Sequence, residues 1–96
     1  EHVRVLAERF HAIVSATAHG LLPKTWYGMP AYAREGNTVV TFFQGADKIE
    51  ARYASIVYND RATLDDGVMW QTAFALTKID ETTEARIVEL VKRAVR

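Results

Sequence analysis

Lys24-Thr25-Trp26-Tyr27-Gly28-Met29-Pro30-Ala31-Tyr32-Ala33 is the stretch on which the reading of the fold turns. Its aromatic and small apolar residues read as a β-strand interrupted by Gly28 and Pro30. Proline has no N–H to give to a ladder, so the spacing predicts an edge strand or one that carries a bulge. Arg34-Glu35-Gly36-Asn37 follows as a turn, where Gly36 takes positive φ at little cost. Thr38 to Gln44 is rich in β-branched and aromatic residues, and the two segments are predicted to pair as a hairpin.

Further along, Gly45-Ala46-Asp47-Lys48 breaks the pattern, and Ala51 to Tyr58 restores an alternation expected of a third strand. Asn59 to Gly67 reads as a loop or a single helical turn. Trp70 to Ile79 reads as the last strand, with Trp70, Phe74 and Leu76 on one face and Ala73, Ala75 and Thr77 on the other. The small residues leave room for a helix to lie across that second face. Before the strands, Val3, Leu6, Phe10, Ile13, Val14 and Thr17 recur at helical spacing over residues 2–19, with Gly20 and Pro23 as a left-handed stop and a breaker. After them, Asp80 is a predicted N-cap, and Ile87, Leu90, Val91, Ala94 and Val95 form the apolar stripe of a final helix. The expectation is one α+β domain over residues 1–96: an antiparallel sheet of about four strands, with the terminal helices packed on one face. The other face, or the groove at its edge, is then the natural place for a ligand.

Composition narrows the function. Twelve basic and twelve acidic residues cancel, which removes the electrostatic footprint of a nucleic-acid binder and gives no attraction to a membrane surface. The chain has no cysteine, so thiolate catalysis, disulfides and Cys-ligated metal sites are excluded, and a cytoplasmic location is expected. No apolar run is long enough to span a bilayer. A first residue of Glu1 instead of Met predicts a longer parent chain.

Three features carry candidate chemistry. The aromatic segment around Trp26, Tyr27, Met29 and Tyr32 combines apolar area with polar tips, and a cleft lined with help from Phe43, Tyr58 and Trp70 would bind a ligand. The same side chains also suit the core of a small domain. Asp65-Asp66-Gly67, with Asp60 nearby, is the densest carboxylate group and offers oxygen ligands to a hard cation, although the spacing of a calcium loop is missing and such residues commonly form turns. His2, His11 and His19 have no chelating spacing and read as solvated or boundary residues. Ser15 and Ser55, the two serines, lie outside any nucleophile elbow, and no glycine-rich phosphate loop occurs.

Tyr27-Gly28-Met29-Pro30-Ala31-Tyr32, followed by Val39-Val40-Thr41-Phe42-Phe43, resembles the bacterial YdhG-like domains, and Leu64-Asp65-Asp66-Gly67-Val68-Met69-Trp70 looks like a subgroup signature. Where many members have a Gly-rich third strand, this chain has Ala51 to Tyr58. The resemblance implies a frataxin-like α+β fold. Some relatives are regarded as iron chaperones, which makes iron the alternative cofactor. Frataxins hold iron on an acidic ridge along the first helix and strand, whereas here the first helix offers Glu1 and Glu8 and residues 21–33 hold no acid. The leading expectation is a small non-catalytic binding or interaction domain for a small molecule or protein, monomeric or weakly dimeric. Iron binding through Asp60, Asp65 and Asp66 is the alternative.

Overall fold

The structure, a computed structural model, describes residues 2–45 and 52–96, with side chains from Arg4 onward. The start of the predicted third strand at Ala51 and the pattern break at residues 46–48 lie outside the described residues. The elements run α1 (His2–Thr17), β1 (Leu22–Trp26), β2 (Met29–Arg34), β3 (Thr38–Gln44), β4 (Ala54–Tyr58), β5 (Ala73–Leu76) and α2 (Glu81–Ala94). The strands form one antiparallel meander in the order β1-β2-β3-β4-β5. This is the α+β class expected, with five strands where about four were predicted.

The extra strand comes from the opening stretch. Residues 24–33 are not one interrupted strand but most of a hairpin: Tyr27 (φ 52°) and Gly28 (φ 78°) form its turn, and Trp26 faces Met29 across it. Two successive residues at positive φ give the turn whose twist matches paired strands. Pro30 therefore lies in the second strand and not at an edge. It is tolerated because the β2–β3 ladder begins one residue later, at Ala31↔Phe42, so no donor is required at position 30. Pro23 does occupy the edge, in β1.

A bulge sits in the β2–β3 ladder, where Tyr32 pairs Thr41 but Ala33 pairs Val39. The carbonyls there are engaged from β4's exit: the Asn59 backbone N–H donates to Val40 O at 2.8 Å, and the Asn59 side-chain amide reaches Val39 O at 3.4 Å. Thr41, a buried polar residue, donates its hydroxyl to Val57 O at 2.8 Å. With that bond made, its burial costs little.

Both helices cover one face of the sheet. Leu6, Phe10, Ile13 and Val14 of α1 and Ile87, Val91 and Ala94 of α2 share a buried cluster with Tyr32, Val40, Phe43, Ile56, Tyr58 and Leu76. Phe10 meets Tyr32 edge-on at 5.6 Å and Phe43 at 6.3 Å between ring centroids. Each large side chain buried this way contributes roughly 1.5–3 kcal/mol. The helices therefore lie on the Phe74 and Leu76 side of β5. The expectation that Ala73 and Ala75 receive a helix is overturned, and both stay exposed. Branched and aromatic side chains offer more area to bury than alanines, so they attract the helices.

At the helix ends, Asp80 is the N-cap of α2, accepting from Thr83 N at 2.8 Å. Gly20 does not take the left-handed conformation predicted for it; α1 closes through Ala18 N to Val14 O at 2.8 Å and Leu21 N to Ala18 O at 3.1 Å. An Arg9–Glu84 ion pair at 2.6 Å ties α1 to α2. Among the described residues, no helix is long and apolar enough to cross a membrane.

Candidate functional site

The aromatic candidates separate into distinct environments. Phe43 is interior, packed on Phe10, and it borders no described concavity. Trp26 and Tyr27 cluster with Phe42 on the face opposite the helices, Trp26 lying 5.0 Å from each ring, and Tyr27 is 78% exposed. Ala31, Ala33 and Val39 form the floor beneath this cluster.

Met29 and Tyr32 line a cleft where the β1–β2 hairpin meets α1, together with His11, Thr25, Gly28 and Pro30. The hairpin creates it. Pro30 ends pairing toward β3, and the turn at Tyr27-Gly28 brings the chain back past α1. Tyr32 points under α1 because its β2 position faces the helices, and its hydroxyl meets His11 Nδ1 at 3.1 Å. The other imidazole nitrogen, Nε2, lies 3.5 Å from Ser15 Oγ one turn on. In one neutral tautomer the phenol donates to Nδ1 and Nε2–H points toward Ser15; in the other both roles reverse. Burial pushes the Tyr32 hydroxyl up to about 12, so it remains a neutral phenol at ordinary pH. The arrangement links an exposed imidazole to a buried hydroxyl at the mouth of a cleft.

Tyr58 lines a different cavity of about 390 Å³ between β5, the segment leading to α2, and α2 itself. Its ring stands edge-on to Phe74 at 5.9 Å. Trp70 precedes β5 instead of belonging to it, is 39% exposed, and borders a depression with Leu64, Phe74, Arg86 and Leu90. The carboxylates Asp60, Asp65 and Asp66 are exposed, and among the described residues no group of three or more acidic or histidine side chains gathers to hold a metal ion.

Sequence reasoning missed His11 and Arg86. His11 neighbours Phe10 in the chain, but its contact with Tyr32 spans 21 positions, and no periodic pattern encodes it. Arg86 is exposed on α2, and its guanidinium lies 5.5 Å over the Phe74 ring, a contact that the helical period does not encode. The fold and its concavities define a small α+β domain, two terminal helices on one face of a five-stranded meander, with a cleft beside each edge of the sheet. Scans against protein-family models, curated proteins and solved structures find no match for this chain.

Proposed function

We propose that this chain is a small non-catalytic binding domain of the YdhG-like type, cytoplasmic, whose ligand sits in the cleft between α1 and the Tyr27–Tyr32 hairpin. One observation carries the reading: the His11–Tyr32 pair, 3.1 Å apart, at the wall of that cleft. A buried hydroxyl anchored on an exposed imidazole gives a ligand a fixed, directional hydrogen-bonding group beside the exposed ring of Pro30. Lys24 and Thr25 add further polar groups to the same wall, and precisely placed polar groups are what small-molecule sites use to orient their ligands. The YdhG-like assignment draws support from the terminal helices and the strand that carries Met29-Pro30-Ala31-Tyr32.

The test is an amide-shift titration of the labelled protein with four fragments of differing polarity: phenol, imidazole, acetate and N-methylacetamide. At least one is expected to shift Thr25, Gly28, Met29 and Tyr32 together, and His11→Ala is expected to weaken that binding several-fold. Fragments that leave these amides unmoved, or that bind His11→Ala equally well, reject the cleft.

A further inference from the structure

One polar atom of the described core is orphaned. The Tyr58 hydroxyl has no accessible surface to speak of and no hydrogen-bond partner among the described residues. Leaving such a group unpaired in the interior costs about 1–3 kcal/mol, so native proteins satisfy nearly all of them. Desolvation also raises its pKa strongly, which keeps it a proton donor. Tyr58 is among the residues that line the 390 Å³ cavity between β5 and α2, a volume within the range of small-molecule sites.

The lining of that cavity sorts by depth and charge. Ile56, Phe74, Leu76, Ile87 and Leu90 supply the apolar surface. Lys78 and Arg86 supply the positive charge, and neither makes an ion pair among the described residues. The one carboxylate present, Asp80, is engaged as the α2 cap, and its hydrogen bond from Thr83 holds its pKa below the usual range. A site with an apolar floor, two cations at its wall and a neutral phenol donor suits an anion joined to a hydrocarbon body. It disfavours a cation or a fully polar solute.

We propose that the cavity between β5 and α2 binds a small amphipathic carboxylate, its hydrocarbon part against Ile56, Leu76 and Ile87, its carboxylate held by Arg86 or Lys78 and by the Tyr58 hydroxyl. Phe74 is the gate. Its ring contacts both the Tyr58 ring and the Arg86 guanidinium, so a head group reaching the hydroxyl displaces it. The proposal is independent of the His11 cleft, which lies on the far side of the sheet order beside β1 and β2.

Octanoate is the probe, with octan-1-ol as the neutral control, both followed by amide shifts. Octanoate is expected to move Tyr58, Phe74, Arg86 and Ile87 while His11 and Met29 stay still, and to bind at least several-fold tighter than octan-1-ol. Tyr58→Phe is expected to weaken octanoate roughly tenfold, as removal of a hydrogen bond to a charged group does, without lowering thermal stability. Arg86→Met is expected to remove most of the preference for octanoate over the alcohol. Shifts confined to the His11 cleft, or no shifts, overturn the proposal. So does unchanged octanoate affinity in Tyr58→Phe, which would leave a water as the hydroxyl's partner.

Discussion

Tyr27 holds a backbone conformation (φ 52°) that its side chain does not favour, in a turn whose second residue, Gly28, sits at φ 78°. Residues with a Cβ pay for this region, Asn and Asp least and Gly hardly at all. Two outcomes follow for chemical unfolding. Tyr27→Asn should raise stability by a few tenths of a kcal/mol or more, since its exposed ring is lost at little cost and the turn relaxes. Gly28→Ala should lower stability by about 1–2 kcal/mol. If Gly28→Ala unfolds at the same urea midpoint as the parent, the turn is not a fixed feature of the hairpin. The same residue explains why the sequence reads as one strand where two exist. A two-residue hairpin turn announces itself in sequence when its first member is Asn, Asp or Gly, and an aromatic residue there hides it between apolar neighbours. Pro30 reinforced the misreading, because its tolerance depends on where the ladder to β3 starts, a tertiary fact that position 30 does not carry.

Elements with a strong period were legible, and those set by their neighbours were not. The apolar stripes of α1 and α2 match the buried faces at Leu6, Phe10, Ile13, Val14, Ile87, Val91 and Ala94. The cap at Asp80 was readable because a side-chain oxygen before a helix satisfies one of its free N–H groups whatever the tertiary context. By contrast, alternation in β5 identified its two faces without saying which one the helices would cover. The Asp80 cap gives an element-level expectation. Its carboxyl pKa is lowered mainly by the Thr83 backbone N–H, so its contribution is present above the unfolded carboxylate value of 3.8 and is lost as pH falls through the lower folded value. Asp80→Ala should therefore melt several degrees below the parent at neutral pH, with the gap closing in strongly acidic buffer. A gap that is unchanged between neutral pH and the acid limit would show that the carboxylate charge plays no part. The Arg9–Glu84 tie across the helices is half-exposed on both sides, so Glu84→Gln should change stability by less than about 1 kcal/mol.

At the scale of the molecule, the aromatic residues that drew attention as a single cleft serve separate ends: core, open-face cluster, the two concavities beside the sheet edges, and the separate depression that Trp70 borders. Sequence could identify them as unusual, but distribution among these roles depends on strand parity and on the bulge at Tyr32, which together decide who faces the helices. Two of them, Tyr32 and Tyr58, bring buried phenols into one small core, and this yields a test of the whole fold. Burial raises both hydroxyls, Tyr32 to about 12 and Tyr58 further still, while the unfolded chain ionises near 10. A raised folded pKa leaves stability intact below the unfolded value and erodes it above, because only the unfolded state then gains by losing protons. Each buried tyrosine should cost roughly 1.4 kcal/mol per pH unit between about 10 and its folded value. Urea unfolding at pH 8, 10 and 11 should show the parent losing stability over the last step. Tyr58→Phe should lose about half as much, since one of the two titrating phenols is gone while the packing of its ring remains. A Tyr58→Phe profile parallel to the parent's would mean that the hydroxyl is open to solvent, and would remove the orphaned donor on which the α2 cavity's ligand depends.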